Sequence, residues 1–165
     1  MKKNGIILFV VSLFFTSCVT QQRVLTMLTP ESPQYFVRPV QFVSGEYKTL
    51  LDCTLQVKNA EIQSDVIINY SVSPKKDLQL KTSLPVVVFS TPEGAFKTSS
   101  ISLMYIDINS GVARYTSTMS PEQFTTIIKN VDTLAIYVEQ DTRKGKSVVS
   151  KKLNDSLKML TRVIY

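Results

Sequence analysis

The sequence predicts an α+β fold that is mainly β, with an antiparallel sheet or sandwich of about seven to nine strands and two helices near the C-terminus. Three observations support this prediction. Between residues 35 and 118, several segments alternate apolar with polar residues, which is the period of a strand with one buried face. Residues that favour turns separate these segments. After residue 119, apolar residues twice recur at helical spacing instead.

The strand predictions follow the chain in order. Residues 51–58 (LDCTLQVK) alternate strictly, and residues 66–73 repeat the pattern in a more apolar run. Residues 84–89 (LPVVVF) are almost continuously apolar, which predicts a strand that is covered on both faces. Residues 101–118 carry two further strands on either side of Asn109-Ser110-Gly111, which predicts a hairpin whose glycine supplies a positive φ angle.

Two amphipathic helices are predicted in the last third of the chain. Ser120-Pro121-Glu122-Gln123 places a serine at the N-cap, a proline at the first helical position and a glutamine three residues after the cap. Residues 134–138 then alternate as a strand, a polar turn containing Gly145 follows, and residues 146–150 predict a short returning strand. The apolar stripe of the first helix is Phe124, Ile127, Ile128 and Val131, and that of the second is Leu153, Leu157, Leu160 and Ile164.

The first 17 residues have the layout of a secretory signal peptide. Lys2 and Lys3 form a positive start, and an apolar run from Ile6 to Phe15 follows. This run is shorter than the roughly 20 apolar residues that a membrane-spanning helix needs. The small residues Thr16 and Ser17 then precede Cys18. We therefore exclude residues 1–17 from the predicted fold.

Phe15-Thr16-Ser17-Cys18 resembles the lipobox of bacterial lipoproteins. The resemblance covers only the first eighteen residues. It implies that a peptidase cuts before Cys18 and that a diacylglycerol on the sulfur anchors the protein to a membrane. Val19 is not the aspartate that retains Gram-negative lipoproteins at the inner membrane, so the resemblance implies the outer membrane. The alternatives are an ordinary cleaved signal in which Cys18 is incidental, or an uncleaved anchor.

The mature chain is expected to form one domain behind a tether. Residues 18–33 are polar, contain two prolines and have no sustained period, which predicts a lipidated N-terminus and flexible tether. Residues 34–165 are predicted to form a single mostly β globular domain. Removal of the first 17 of the 165 residues leaves 148, which is enough for one hydrophobic core.

Cysteine and histidine usage excludes several kinds of site. If Cys18 is lipidated, Cys53 is the only remaining thiol, so no intramolecular disulfide can form. Cys53 lies on the apolar side of its strand and is predicted to be an inert core thiol. The chain contains no histidine, which excludes Ser-His-Asp catalysis, Cys-His catalysis and imidazole zinc sites within it.

No cofactor is expected either, because glycine-rich nucleotide motifs are absent. A pair of carboxylates acting as acid and base is a remaining route to catalysis, and residue spacing selects no pair. The acids considered are Asp52, Asp65, Glu122 and Glu139.

The positive charge is concentrated at the C-terminal end. The whole chain has 19 Lys and Arg against 13 Asp and Glu, and residues 141–165 hold seven of these basic residues against two acids. Six of them form a possible basic contact face for anionic headgroups, an acidic envelope polymer or an acidic partner protein. The alternative is an ordinary solvated helix face. These six residues are Arg143, Lys144 and Lys146 in the predicted turn, and Lys151, Lys158 and Arg162 on one helix stripe.

Together these features predict a membrane-anchored extracytoplasmic lipoprotein that acts as a non-enzymatic binding or scaffolding module of the cell envelope. Its expected partners are the membrane, through Cys18, and a protein or anionic envelope partner. Nucleic acid is not expected, because the chain is exported and lacks interleaved arginine and aromatic residues. The alternative is a carboxylate-based hydrolase or lyase of an envelope polymer, which needs a cleft with two acids of separated pKa values. An exposed sheet edge, an apolar patch or a continuous basic face would favour binding instead.

Overall fold

The computed structural model describes residues 22–74, 83–141 and 143–165, which form eleven strands and two helices. The strands are β1 (Val24–Leu28), β2 (Pro33–Ser44), β3 (Tyr47–Lys58), β4 (Glu61–Ile62), β5 (Val66–Pro74), β6 (Val86–Thr91), β7 (Gly94–Lys97), β8 (Ser99–Asp107), β9 (Val112–Met119), β10 (Ala135–Gln140) and β11 (Arg143–Lys144). The helices are α1 (Pro121–Lys129) and α2 (Lys151–Ile164).

Two antiparallel sheets contain these strands. The larger sheet has seven strands in the order β1-β2-β3-β5-β9-β8, with β4 paired to β3 beside this path. The smaller sheet has four strands in the order β11-β10-β6-β7. The predicted α+β class, mainly β with antiparallel sheets and two helices, is confirmed. The strand number exceeds the prediction because β4 and β11 contain only two residues each and because β1 lies within the predicted tether.

Alternation along the strands determines which face of the larger sheet is buried. On β3, Cys53 is buried and lies in register between Val37 of β2 and Ile68 of β5, which are also buried. The register between β2 and β3 shifts after Val37, so that the buried set of β2 continues at Val40. Strand β2 therefore runs for twelve residues with Tyr35 and Val37 before the shift, and Val40 and Phe42 after it, all buried.

The smaller sheet and the two helices cover this buried face in one hydrophobic core. The core side chains of the covering layer are Val87, Phe89, Ile136 and Val138 from the smaller sheet, Phe124, Ile127 and Ile128 from α1, and Leu153, Leu157, Leu160 and Ile164 from α2. Tyr70 of β5 connects the layers, because its hydroxyl donates to the Pro85 carbonyl oxygen, 2.5 Å away, just before β6. Its ring stacks on Tyr115 with 5.6 Å between centroids. Burial raises the pKa of Tyr70, which keeps this hydroxyl protonated as a donor.

Both predicted helices form, and the predicted start of the first is confirmed. The Ser120 hydroxyl accepts a hydrogen bond from the Gln123 N–H of α1, and Pro121 is the first helical residue. The Ser150 hydroxyl caps α2 in the same way. The strand predicted over residues 146–150 is wrong. Its described pairing is a single antiparallel bridge, in which Val148 and Ile136 exchange two backbone hydrogen bonds.

The predicted tether also needs correction from Val24 onward. Val24–Leu28 forms β1 and pairs in register with β2, and Val24 itself is buried. The segment (VLTML) does not alternate apolar with polar residues, so it gave no strand signal, but strand pairing uses backbone groups that every residue has. Residues 1–21, which include the predicted signal peptide and Cys18, lie outside the described residues. None of the described helices has the length and apolar character needed to cross a membrane.

Gly145 is expected to tolerate no side chain, because a Cβ atom there would collide with the Ser44 Oγ and lie 2.8 Å from the Val138 carbonyl oxygen. The Ser44 hydroxyl is itself held in place, since it donates to the Lys146 carbonyl oxygen and accepts from the Val138 N–H. Gly145→Ala should therefore lower the free energy of unfolding by about 1–3 kcal/mol in urea denaturation. The exposed neighbour Ser147 is the control, and Ser147→Ala should change it by less than about 0.5 kcal/mol. Equal stability of the two variants would contradict this packing.

Candidate functional site

Strand β8 exposes most of its length to solvent. Every residue of β8 except the half-buried Ile101 is exposed. Four consecutive apolar side chains are among them, with exposed fractions between 40% and 54%. These four residues, Leu103, Met104, Tyr105 and Ile106, together with β8 itself, are called the apolar edge below.

The exposure arises because the covering layer ends between β9 and β8. Leu103 lies opposite Tyr115, and Ile106 lies opposite Ala113, so the side chains of each pair point to the same face of the sheet. Tyr115 and Ala113 are buried, whereas Leu103 and Ile106 are 47% and 40% exposed. The core face of the larger sheet therefore continues past the core itself, onto an uncovered strip of apolar surface.

The backbone of β8 is open as well. Strand β8 ends the larger sheet, and within the described ranges only β9 pairs with it. On its far side, the N–H and C=O groups of β8 therefore have no partner strand among the described residues. Natural edge strands are commonly protected by lysine or proline, and β8 contains neither. Its pairing with β9 shifts between Ser99 and Ser102 and again between Leu103 and Tyr105, so the longest regular ladder covers Tyr105, Ile106 and Asp107.

Asp107 is the single charged residue of β8, and the neighbouring turn uses its carboxylate. The carboxylate accepts hydrogen bonds from the Ser110 hydroxyl at 2.6 Å, from the Ser110 N–H and from the Asn109 N–H. These hydrogen bonds lower the pKa of Asp107 from its ordinary value. The predicted hairpin turn is confirmed, with Gly111 at a φ angle of 63°. Asp107 thus fixes the end of the apolar edge.

A second polar cluster lies on the outer face of the larger sheet. The Asp52 carboxylate accepts from the Asn69 side-chain amide at 2.9 Å and from the Arg114 guanidinium at 2.5 Å. Arg114 also donates to the Ser71 hydroxyl. Only 2% of the Asp52 side chain and 18% of the Arg114 side chain are exposed. The cluster connects β3, β5 and β9, and its polar groups are already paired with one another.

The structure separates the six residues of the predicted basic contact face. The Lys144 ammonium lies 4.4 Å from the centre of the Tyr137 ring on the smaller sheet. Lys158 forms an ion pair with Asp132. The side chain of Arg143 lies outside the description, and the predicted lipidation site Cys18 does too. The remaining three residues, Lys146, Lys151 and Arg162, are exposed.

Sequence reasoning missed a different group of cations beside α2. A groove of about 820 Å³ lies where the first described residues, β2 and α2 meet. We call it the basic groove. Its three cations are Arg23, Arg38 and Lys152. They lie far apart along the chain, so no local sequence pattern could have grouped them. The lining residues are Gln22, Arg23, Arg38, Pro39, Val40, Gln41, Leu50, Lys152, Ser156 and Met159.

The four acids considered for catalysis lie in separate parts of the fold: Asp52 on β3, Asp65 in the loop before β5, Glu122 on α1 and Glu139 on β10. Asp65 and Glu122 are exposed, and Glu139 pairs with Lys97 at 2.6 Å. Asp52 is the buried one, and it is occupied by the cluster described above. In the described parts of the chain, no group of three or more Cys, Asp or Glu side chains is placed to hold a metal ion.

Cys53 is buried in β3. Burial, and to a smaller extent the charge of Asp52, raises the pKa of the Cys53 thiol. Because the thiolate is the nucleophilic form, this environment suits the predicted inert core thiol.

No protein-family model, curated protein or solved structure matches this chain. Function is therefore inferred from its own residues.

Proposed function

We propose that this protein is a lipid-anchored extracytoplasmic lipoprotein of the cell envelope whose domain binds, without catalysis, an extended segment of another envelope protein. The observation that carries the proposal is the apolar edge: a terminal strand that contains no lysine or proline and has four exposed apolar side chains. The lipobox-like residues ending at Cys18 support the anchor, and Val19 favours the outer membrane.

Addition of a strand fits the chemistry of this edge. Backbone N–H and C=O groups on the free side of β8 are satisfied by another extended chain, which gives affinity without depending on side chains. Side chains then select the partner. A segment with apolar residues on its core side would cover Leu103 and Ile106, and Tyr105 offers a ring on the opposite face.

The apolar edge is expected to be required for partner capture in cells. A photoreactive residue at Ser102, on β8, should crosslink to another envelope protein, and mass spectrometry identifies the adduct. Met104→Lys combined with Ile106→Lys should lower the crosslinking yield at least about tenfold, because edge lysines oppose strand addition and the anchoring apolar groups are lost.

The matched control is Ile67→Lys combined with Val163→Lys. These residues are 43% and 47% exposed, but they lie on β5 and α2 rather than at the edge. The control variant should retain the wild-type yield. An equal loss in both variants would show general apolar adhesion instead of edge recognition. An adduct between two copies of this chain would replace the proposed heterologous partner by self-association.

A further inference from the structure

The basic groove combines cations with an apolar floor. Arg23, Arg38 and Lys152 line it, and none of its ten lining residues is an aspartate or glutamate. Arg23 shares its charge with Asp155, whose carboxylate is 2.9 Å from the guanidinium. Within the described ranges, Arg38 has no carboxylate partner and neither does Lys152. The groove therefore keeps two uncompensated positive charges.

Part of the groove lining is apolar. Pro39, Val40, Leu50 and Met159 supply apolar surface beside the cations. Arg and Lys are the side chains that proteins use to bind phosphate, and an apolar floor beside them suits the glycerol and upper acyl groups attached to that phosphate. An anionic phospholipid headgroup has both parts.

The position of the groove in the chain favours a membrane lipid over a soluble ligand. Gln22 lines the groove and follows Cys18 by four residues. Four residues reach at most about 14 Å when fully extended. Acyl chains on Cys18 would therefore hold the cations of the basic groove within about two Debye lengths of the charged bilayer surface.

We propose that the basic groove binds the phosphate-bearing headgroup of an anionic phospholipid in the membrane that carries Cys18. This proposal rests on the lipid anchor of the proposed function. It assigns the groove the role of orienting the domain on the membrane. The apolar edge is a separate surface, since no residue lines the groove and also belongs to β8.

Hydrogen exchange of the acylated protein on vesicles tests the proposal. The protein, extracted from membranes in its mature form, is reconstituted into phosphatidylcholine vesicles with or without phosphatidylglycerol. Phosphatidylglycerol should slow amide exchange in residues 22–24, 38–41 and 152–159, by up to about thirtyfold for two cations near an anionic surface. Arg38→Gln combined with Lys152→Gln should remove this difference. The control, Lys58→Gln combined with Lys129→Gln at two exposed lysines outside the groove, should retain it.

Several results would overturn the proposal. One is equal amide exchange on neutral and anionic vesicles. Another is protection that persists in the variant with Arg38→Gln and Lys152→Gln. A third is the same protection when inorganic phosphate is added to neutral vesicles, because that result would indicate a soluble phosphate ligand. An intact mass without acyl chains on Cys18 would overturn the anchor, and the headgroup role with it. Met104→Lys combined with Ile106→Lys should leave the protection unchanged, so a failure of partner capture and a failure of headgroup binding remain distinguishable.

Discussion

Arg114→Ala is expected to lower the free energy of unfolding by about 3–5 kcal/mol, the usual cost of removing one partner of a buried ion pair. Asp52 would remain almost fully buried with only the Asn69 amide as a side-chain donor. The Ser71 hydroxyl would also lose its guanidinium donor. Urea denaturation followed by far-ultraviolet circular dichroism measures the change, with wild type and variant at the same pH.

Two controls separate burial from charge. Lys97 and Glu139 form an ion pair at 2.6 Å, but 59% of the Lys97 side chain is exposed. Lys97→Ala should therefore cost much less stability than Arg114→Ala, because solvent screens the exposed pair. Replacing both charges of the buried pair, by Asp52→Leu with Arg114→Met, should recover most of the stability lost in Arg114→Ala. If Arg114→Ala cost no more than Lys97→Ala, the Asp52 carboxylate would not be desolvated as the structure describes.

The Asp52 cluster shows where sequence reasoning reaches its limit. Alternation correctly placed Leu51 and Cys53 in the core, and by the same rule it placed Asp52 on a solvated face. The structure buries Asp52 because its partners arrive from other strands, Asn69 from 17 residues away and Arg114 from 62 residues away. Local period predicts the face on which a side chain lies. The cover over that face depends on the order of the strands.

The same limit applies to the candidate sites. Residues 84–89 were predicted to be covered on both faces, and Val87 and Val88 are indeed buried. Residues 101–108 gave an equally good strand signal, and β8 does form, yet its position at the end of the sheet leaves it uncovered. Composition does not distinguish an edge strand from a central one. The cap of α1 was predicted because every group involved lies within four residues, whereas the Ser150 cap of α2 was not predicted.

Strand order also decides which groups assemble into the basic groove. Arg23 lies in the segment that the sequence predicted as a tether, and Lys152 lies more than a hundred residues further along the chain. Pairing of β1 with β2 brings Arg23 beside Arg38, since the Arg38 N–H donates to the Arg23 carbonyl oxygen at 2.9 Å. The ion pair between Arg23 and Asp155 then holds α2 against this corner. None of these contacts has a local sequence signal.

Thiol labelling of the mature protein should give no rapidly reacting cysteine. The thiol of Cys53 is 1% exposed, and its raised pKa disfavours the reactive thiolate. Cys53 lies on β3 between β2 and β5, so a reagent reaches it only when the sheet opens. Its labelling should be at least about a thousandfold slower than in urea-unfolded protein, given ordinary domain stability. If Cys18 carries a lipid, its sulfur is blocked as well. One rapidly labelled thiol at Cys18 would contradict the proposed anchor.

The rate at which Cys53 is labelled then measures how much the ion pair between Asp52 and Arg114 stabilises the surrounding strands. If labelling follows the population of the open state, Arg114→Ala should accelerate it by about a hundredfold to a few thousandfold, which corresponds to the expected loss of 3–5 kcal/mol. Lys97→Ala should accelerate it far less, because its ion pair is exposed. Rapid labelling of Cys53 in the wild type would mean that β3 is exposed in the native state. Unchanged labelling in Arg114→Ala would mean that the ion pair does not stabilise the strands around Cys53. A free Cys18 would react in a fast phase and Cys53 in a slow one, so the absence of the fast phase tests the anchor while the rate of the slow phase tests the ion pair.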